Sequence, residues 1–155
     1  MLYDLVTNEF VVVPLCTWAL AQLSKVFIKL AQVKRLELHY LIASGGMPSS
    51  HSAIVAALAI TVALNEGFGS VAFGISCIVA LIVIYDSAGV RKSVGQQAVV
   101  LNRIVKEIRF RRPMAELERD LRELIGHTPL QVVIGTVLGI VIAGGANISI
   151  FDNHF

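Results

Sequence analysis

Gly67–Tyr85 reads GFGSVAFGISCIVALIVIY, a run without a single Asp, Glu, Lys or Arg. As an α-helix rising about 1.5 Å per residue it would measure about 28 Å, close to the hydrocarbon thickness of a bilayer. Thr128–Ala146 (TPLQVVIGTVLGIVIAGGA) is a second uncharged run of the same length. A third, Phe10–Leu23 (FVVVPLCTWALAQL), continues at helical spacing between Lys25 and Lys29 to Ala31. The fourth apolar stretch, Ser52–Leu64 (SAIVAALAITVAL), is short. It reaches spanning length only if its helix begins near Ser49, and the polar residues there must then face a protein cavity instead of lipid.

Composition agrees with this pattern. Of the 155 residues 55% are hydrophobic and only 15% charged, with a mean hydropathy of +0.74. A soluble domain carries about a quarter charged residues. A disordered chain, a coiled coil and a disulfide scaffold are excluded. Cys16 and Cys77 lie in apolar runs without C-x-x-C spacing and read as small buried hydrophobes. A cleavable signal peptide is not expected, since residues 1–9 carry Asp4 and Glu9 and no basic n-region.

The basic residues decide the topology. All 13 Lys and Arg residues fall in two segments. Lys25, Lys29, Lys34 and Arg35 lie between the first and second apolar stretches, and the other nine run from Arg91 to Arg122. The N-terminus, the Asn65–Gly69 turn and the C-terminal tail carry only acids: Asp4, Glu9, Glu66 and Asp152. Four alternating spans put both basic segments on one side, which the positive-inside rule makes cytoplasmic, with both termini outside. The expected fold is an all-α integral membrane protein, one domain over 1–155, with about four transmembrane helices near 10–31, 49–65, 67–86 and 128–146.

A cytoplasmic amphipathic helical hairpin is expected over about 92–125. Val94, Ala98, Leu101, Ile104, Val105 and Ile108 recur at helical spacing. Pro113 interrupts, Leu117, Leu121, Leu124 and Ile125 resume, and Gly126 stops the second helix. Its basic faces suit anionic lipid headgroups, at about 1 kcal/mol per nearby Lys or Arg; a solvated charged hairpin is the other reading.

Three polar clusters stand at the cytoplasmic ends of the spans. In Gly45-Gly46-Met47-Pro48-Ser49-Ser50-His51-Ser52, Pro48 can open a helix whose free amides at Ser49, Ser50 and His51 would form an anion site. His51 would stand one turn in as a proton donor. A Ser-rich N-cap with an interfacial His is the plain alternative. In Tyr85-Asp86-Ser87-Ala88-Gly89-Val90-Arg91-Lys92, the guanidinium of Arg91 suits phosphate oxygens, while Lys92 reads as a positive-inside anchor. Asp86 could orient Arg91 or a histidine, or form a simple helix-end ion pair. In Gly126-His127-Thr128-Pro129-Leu130-Gln131, the Gln131 amide could hold one nitrogen of His127 and leave the other free to attack. An N-cap Thr128 beside an interfacial His is again the plain reading.

Lys25 and Lys29 share one helix face, where either could complete a phosphate clamp or both could snorkel. His39 and His154 read as bystanders, and Met47 and Trp18 as packing and interface residues. Neither metal-ligand spacing nor a P-loop is present, so no metal and no cofactor are expected. A net charge of +2 gives no reason to expect nucleic-acid binding. Two histidines, an Arg, a Lys and a helix-start amide nest are the components of metal-free phosphoryl transfer.

The three motifs together, GGMPSSHSA, YDSAGVRKSVGQQA and GHTPLQV, resemble the type 2 phosphatidic-acid phosphatase and vanadium haloperoxidase superfamily, in particular its small divergent branch in bacteria and plants. The resemblance runs from about Gln22 to Val133. It implies a lipid phosphatase acting through a phosphohistidine, with His127 as nucleophile, His51 as general acid, and Lys25, Ser49, Ser50 and Arg91 holding the phosphate. Asp86 and Gln131 would support them. The superfamily pattern is K-x6-R-P, P-S-G-H and S-R-x5-H-x3-D. Here Ser50 replaces the Gly, Gln97 stands where the nucleophile would follow Arg91, and Gln131 replaces the Asp. The third motif is therefore read as split, with the hairpin inserted between its halves.

The implied substrate is a membrane lipid, phosphatidylglycerophosphate- or phosphatidate-like, in a bacterial inner membrane or a plastid-type membrane, with the site facing the cytoplasm. A polyprenyl diphosphate phosphatase and an inactive lipid-phosphate-binding membrane protein are the alternatives. A homo-oligomer fits a chain whose four helices bury little.

Overall fold

The computed structural model describes residues 2–34, 46–88, 97, 99, 101 and 128–151, and five helices are delimited among these described residues. They are α1 (Leu2–Val6), α2 (Glu9–Val33), α3 (Ser50–Glu66), α4 (Val71–Ala88) and α5 (Pro129–Phe151). Residues 97, 99 and 101 are also helical. The expected hairpin, together with Arg91, Lys92, His127, His39 and His154, otherwise lies outside the described residues.

Each boundary has a local cause. Asn8 caps α2 by accepting from the Phe10 N–H at 2.9 Å, and Glu9 in the first turn complements the helix dipole. At the other end Lys34 turns left-handed, with φ 54°, and donates its N–H to the Leu30 carbonyl. The run from Gly67 does not begin as helix. Gly67 takes φ 85°, and Ser70 donates its N–H to the Gly67 carbonyl at 3.2 Å. The Ser70 hydroxyl then accepts from Phe73 N–H, so α4 starts at Val71. Four uncharged residues of the predicted span thus form the turn that reverses the chain.

α5 opens with a capping box. The Thr128 N–H donates to Gln131 Oε1 at 3.0 Å, the Gln131 N–H donates to Thr128 Oγ1 at 3.4 Å, and Pro129 takes the first helical position.

α3 is the central helix, packed on α2, α4 and α5. Its buried residues are Ser50, Ser52, Ala53, Ala56, Ala57, Ala59, Thr61, Val62 and Ala63. Large aliphatic side chains point the other way: Ile75, Ile78, Leu81 and Ile82 of α4 and Val133, Val137 and Val141 of α5 are all exposed. A core of small residues inside an aliphatic surface is the arrangement that suits lipid, where close backbone approach and dispersion hold helices together. Gly135 and Gly139 of α5 sit on α3 backbone. A Cβ on Gly135 would overlap the Ser49 carbonyl, and one on Gly139 would overlap the Ala53 carbonyl.

Among the described residues three helices are long and apolar enough to cross a membrane: α2 over Glu9–Ala31, α4, and α5 over Pro129–Asn147. α3 is apolar but has only 17 residues. The chain is an all-α membrane protein whose described residues include three helices of spanning length and a shorter apolar one packed among them. Cys16 is exposed and Cys77 half-buried, correcting the expectation of buried thiols. On a lipid-facing surface an apolar residue has no need to be inside.

Candidate functional site

The polar residues of the bundle gather at one end. α3 and α4 are antiparallel neighbours, so the start of α3 lies level with the end of α4. Two hydrogen bonds bring α2 and α5 to the same place. The Ser50 hydroxyl donates to Gln22 Oε1 of α2 at 3.1 Å, and the Ser49 N–H donates to the Gln131 carbonyl of α5 at 3.0 Å. Gln22, Lys25, Ser49, Ser50, Ser52 and Ser87 are all buried there. Uncompensated burial of such groups is costly, so their collection at one level marks a built feature.

The Gly46–His51 segment forms its floor. Gly46 takes φ 95°, open to glycine, and a Cβ there would stand 3.8 Å from Cδ of Lys25. The lysine stem therefore passes directly beside the loop. Lys25 is 2% exposed, whereas Lys29, one turn on, is half-buried. Of the two lysines, Lys25 is the one enclosed with the serines. The Met47–Pro48 peptide is cis.

Ser49 is the N-cap of α3, and Pro48 precedes it. The Ser49 hydroxyl accepts from the Ser52 N–H at 3.4 Å and from the Ser52 hydroxyl at 3.0 Å. These bonds correct one detail of the predicted nest. The Ser49 amide is not a free donor, because it is spent on the Gln131 carbonyl, and the helix begins at Ser50 instead of Pro48. The physical reason is the close approach of α5, whose Gly135 lets it lie on the Ser49 backbone.

His51 is half-buried in the first turn of α3, with Nδ1 shielded from solvent. Asp86 is half-buried next to the enclosed Ser87. Gln131 is half-buried, and its side-chain carbonyl accepts from the Thr128 N–H. Gln97 is helical and exposed. Arg91 and His127 lie outside the described residues; His127 immediately precedes Thr128 in the chain. Among the described residues no group of three or more His, Cys, Asp or Glu could hold a metal ion.

Lys25, Ser49, Ser50 and His51 thus meet at one end of the bundle, joined by Gln131 from α5. Gln22 was missed by the sequence reading although it is the one amide inside an otherwise apolar run. The Gly135-x-x-x-Gly139 spacing was missed as well; it signals close helix packing in membranes.

A family model described as "Divergent PAP2 family" matches residues 6–142. The chain belongs to the divergent PAP2 family. It is 39% identical over 150 residues to "Uncharacterized membrane protein YuiD" of Bacillus subtilis (strain 168), across 90% of this chain and 94% of the relative. No solved structure matches it. Together with the apolar helices, family and relative make the chain a PAP2-like integral membrane protein.

Proposed function

We propose that this chain is a membrane-embedded lipid phosphate phosphatase that hydrolyses a phosphomonoester at the cytoplasmic face. The observation that carries the reading is the enclosure of Lys25 against the Gly46–His51 loop in a chain of the divergent PAP2 family. Four spans, with α3 as the short one, put both termini outside and the two basic segments inside.

In this reading the phosphate sits over the start of α3, held by Lys25, Arg91 and the first-turn amides of Ser50 and His51. A nitrogen of His127 attacks phosphorus, the bond to the lipid oxygen breaks, and His51 gives that oxygen its proton. Water then attacks the phosphohistidine, the N–P bond breaks, and His51 takes the water proton. The products are a lipid alcohol and inorganic phosphate. Cations and amides aimed at the phosphoryl oxygens provide the electrostatic part of the acceleration.

A second reading has its own observation. The Ser49 amide, the Ser50 hydroxyl and the Gln131 side-chain carbonyl are all engaged in helix-joining or capping bonds. That suits a protein that holds a lipid phosphate without cleaving it.

Purified protein in detergent, given phosphatidylglycerophosphate and phosphatidate, separates the two. Hydrolysis predicts phosphate release that falls by about 10³-fold in His127→Ala and in His51→Ala. Lipid-phosphate binding without release at any pH supports the second reading, and unchanged release in both variants removes the catalytic assignment.

A further inference from the structure

Gln22 has no part in the chemistry above, yet it occupies an unusual place. It lies within a membrane-crossing segment, is 7% exposed, and precedes Lys25 by three residues on the same face of α2. Its neighbours on that face, Ala21 and Val26, are buried and apolar. An alanine or leucine would pack there without a polar atom to satisfy, so the amide must be explained by its partner. That partner is the Ser50 hydroxyl at 3.1 Å, a buried bond between side chains 28 residues apart in the chain.

The bond has two consequences. Ser50 donates its only hydroxyl proton to Gln22, so toward an anion it offers its backbone N–H alone. The first turn of α3 is also fixed to α2 at the height of Lys25, whose stem lies beside Gly46 of the same loop. Lysine is a flexible point charge on a long stem, and a strut one turn away sets where that charge meets the loop.

We propose that Gln22 is a positioning residue of the phosphate site, acting through Ser50 to hold the start of α3 in register with Lys25. This rests on the phosphate-site reading of the preceding subsection and goes beyond it in giving α2 a second contributing residue.

The test is a double-mutant cycle on the full-length protein in detergent, with Gln22→Ala, Ser50→Gly and the pair together. Each single substitution is expected to lower kcat about tenfold with KM within about threefold, as for a misplacement away from the reacting atoms. The double variant should be no worse than either single, because both remove one bond. Unfolding midpoints run alongside. A kcat per folded molecule that stays at the wild-type level while the midpoint drops would make the bond merely structural and overturn the proposal. Losses that multiply in the double variant would overturn it as well.

If the wild-type protein releases no phosphate, the hydrolytic reading fails separately, and the same cycle is read on the binding of orthovanadate by calorimetry. Coupled losses of affinity there support the positioning role, and independent or absent losses refute it.

Discussion

α3 and α4 are consecutive antiparallel helices of 17 and 18 residues, both apolar, and they lead opposite lives. Nine residues of α3 are buried, while in α4 only Ser76, Ala80 and Ser87 are. Hydrophobicity does not account for this difference, since α4 is the more apolar of the two and yet the less buried. Side-chain size does, since α3 offers alanine, serine and threonine to three neighbours, and α4 offers isoleucine and leucine to its surroundings. In water the large aliphatic residues would be driven inward. In lipid that drive is absent between helices, so the helix with the smallest side chains takes the centre, where backbones approach most closely. The same centrality puts the start of α3 within hydrogen-bonding reach of α2 and α5, and so makes it the natural seat of a site.

The sharpest way to break this contrast is to exchange size between the two helices. Ala57 of α3 is fully buried, whereas Ile78 of α4 is 60% exposed. Ala57→Leu should destabilise the protein by about 3 kcal/mol, at the upper end for overpacking. Ile78→Ala should stay within about 0.5 kcal/mol, as expected of a residue without packed neighbours. Unfolding midpoints in mixed micelles measure both. Similar shifts for the two would show that α3 is not the packed centre.

A second comparison uses glycines of one helix. A Cβ at Gly139 would stand 2.9 Å from Ala56 Cβ and 3.0 Å from the Ala57 nitrogen, as well as overlapping the Ala53 carbonyl. At Gly144 nothing lies within 4 Å. Gly139→Ala should therefore destabilise by about 2 kcal/mol, because α5 must move off α3. Gly144→Ala should stay within about 0.5 kcal/mol of the wild type, since a Cβ there meets nothing. The same unfolding measurement reads the size of each, and equal losses would contradict the α3–α5 contact.

The parts legible in the sequence were those written in charge and hydropathy. Uncharged runs marked α2, α4 and α5 because length without charge is what a bilayer demands. Pro48-Ser49-Ser50-His51 marked the start of α3 through cap chemistry. What escaped was written in size or in distance along the chain. Gly135 and Gly139 are apolar like their neighbours, so a hydropathy reading passes over them, although only their lack of a side chain admits the α3 backbone. The Ser49 amide resembled a free donor until α5 supplied a carbonyl from a remote part of the sequence. The start of α4 was displaced because Gly67–Ser70 is uncharged, and charge alone cannot tell a turn from a helix.

The smallest effect concerns hydroxyls, and it tests why some polar residues of α3 join helices while others only fit. Thr61 donates to the Ala57 carbonyl one turn back at 2.9 Å, within α3 itself. Ser50 donates across to Gln22 of α2. When helices separate within a membrane, each helix stays folded, so a bond inside one helix survives in both states and a bond between helices is lost. Thr61→Val should consequently move the unfolding free energy by about 0.3 kcal/mol or less, while Ser50→Ala should lower it by about 0.6–1.7 kcal/mol, from the average to the maximum for polar contacts between membrane helices. If Thr61→Val proved the more damaging, the centre of α3 would depend on its hydroxyls. Size would then no longer explain why α3, and not α4, takes the centre.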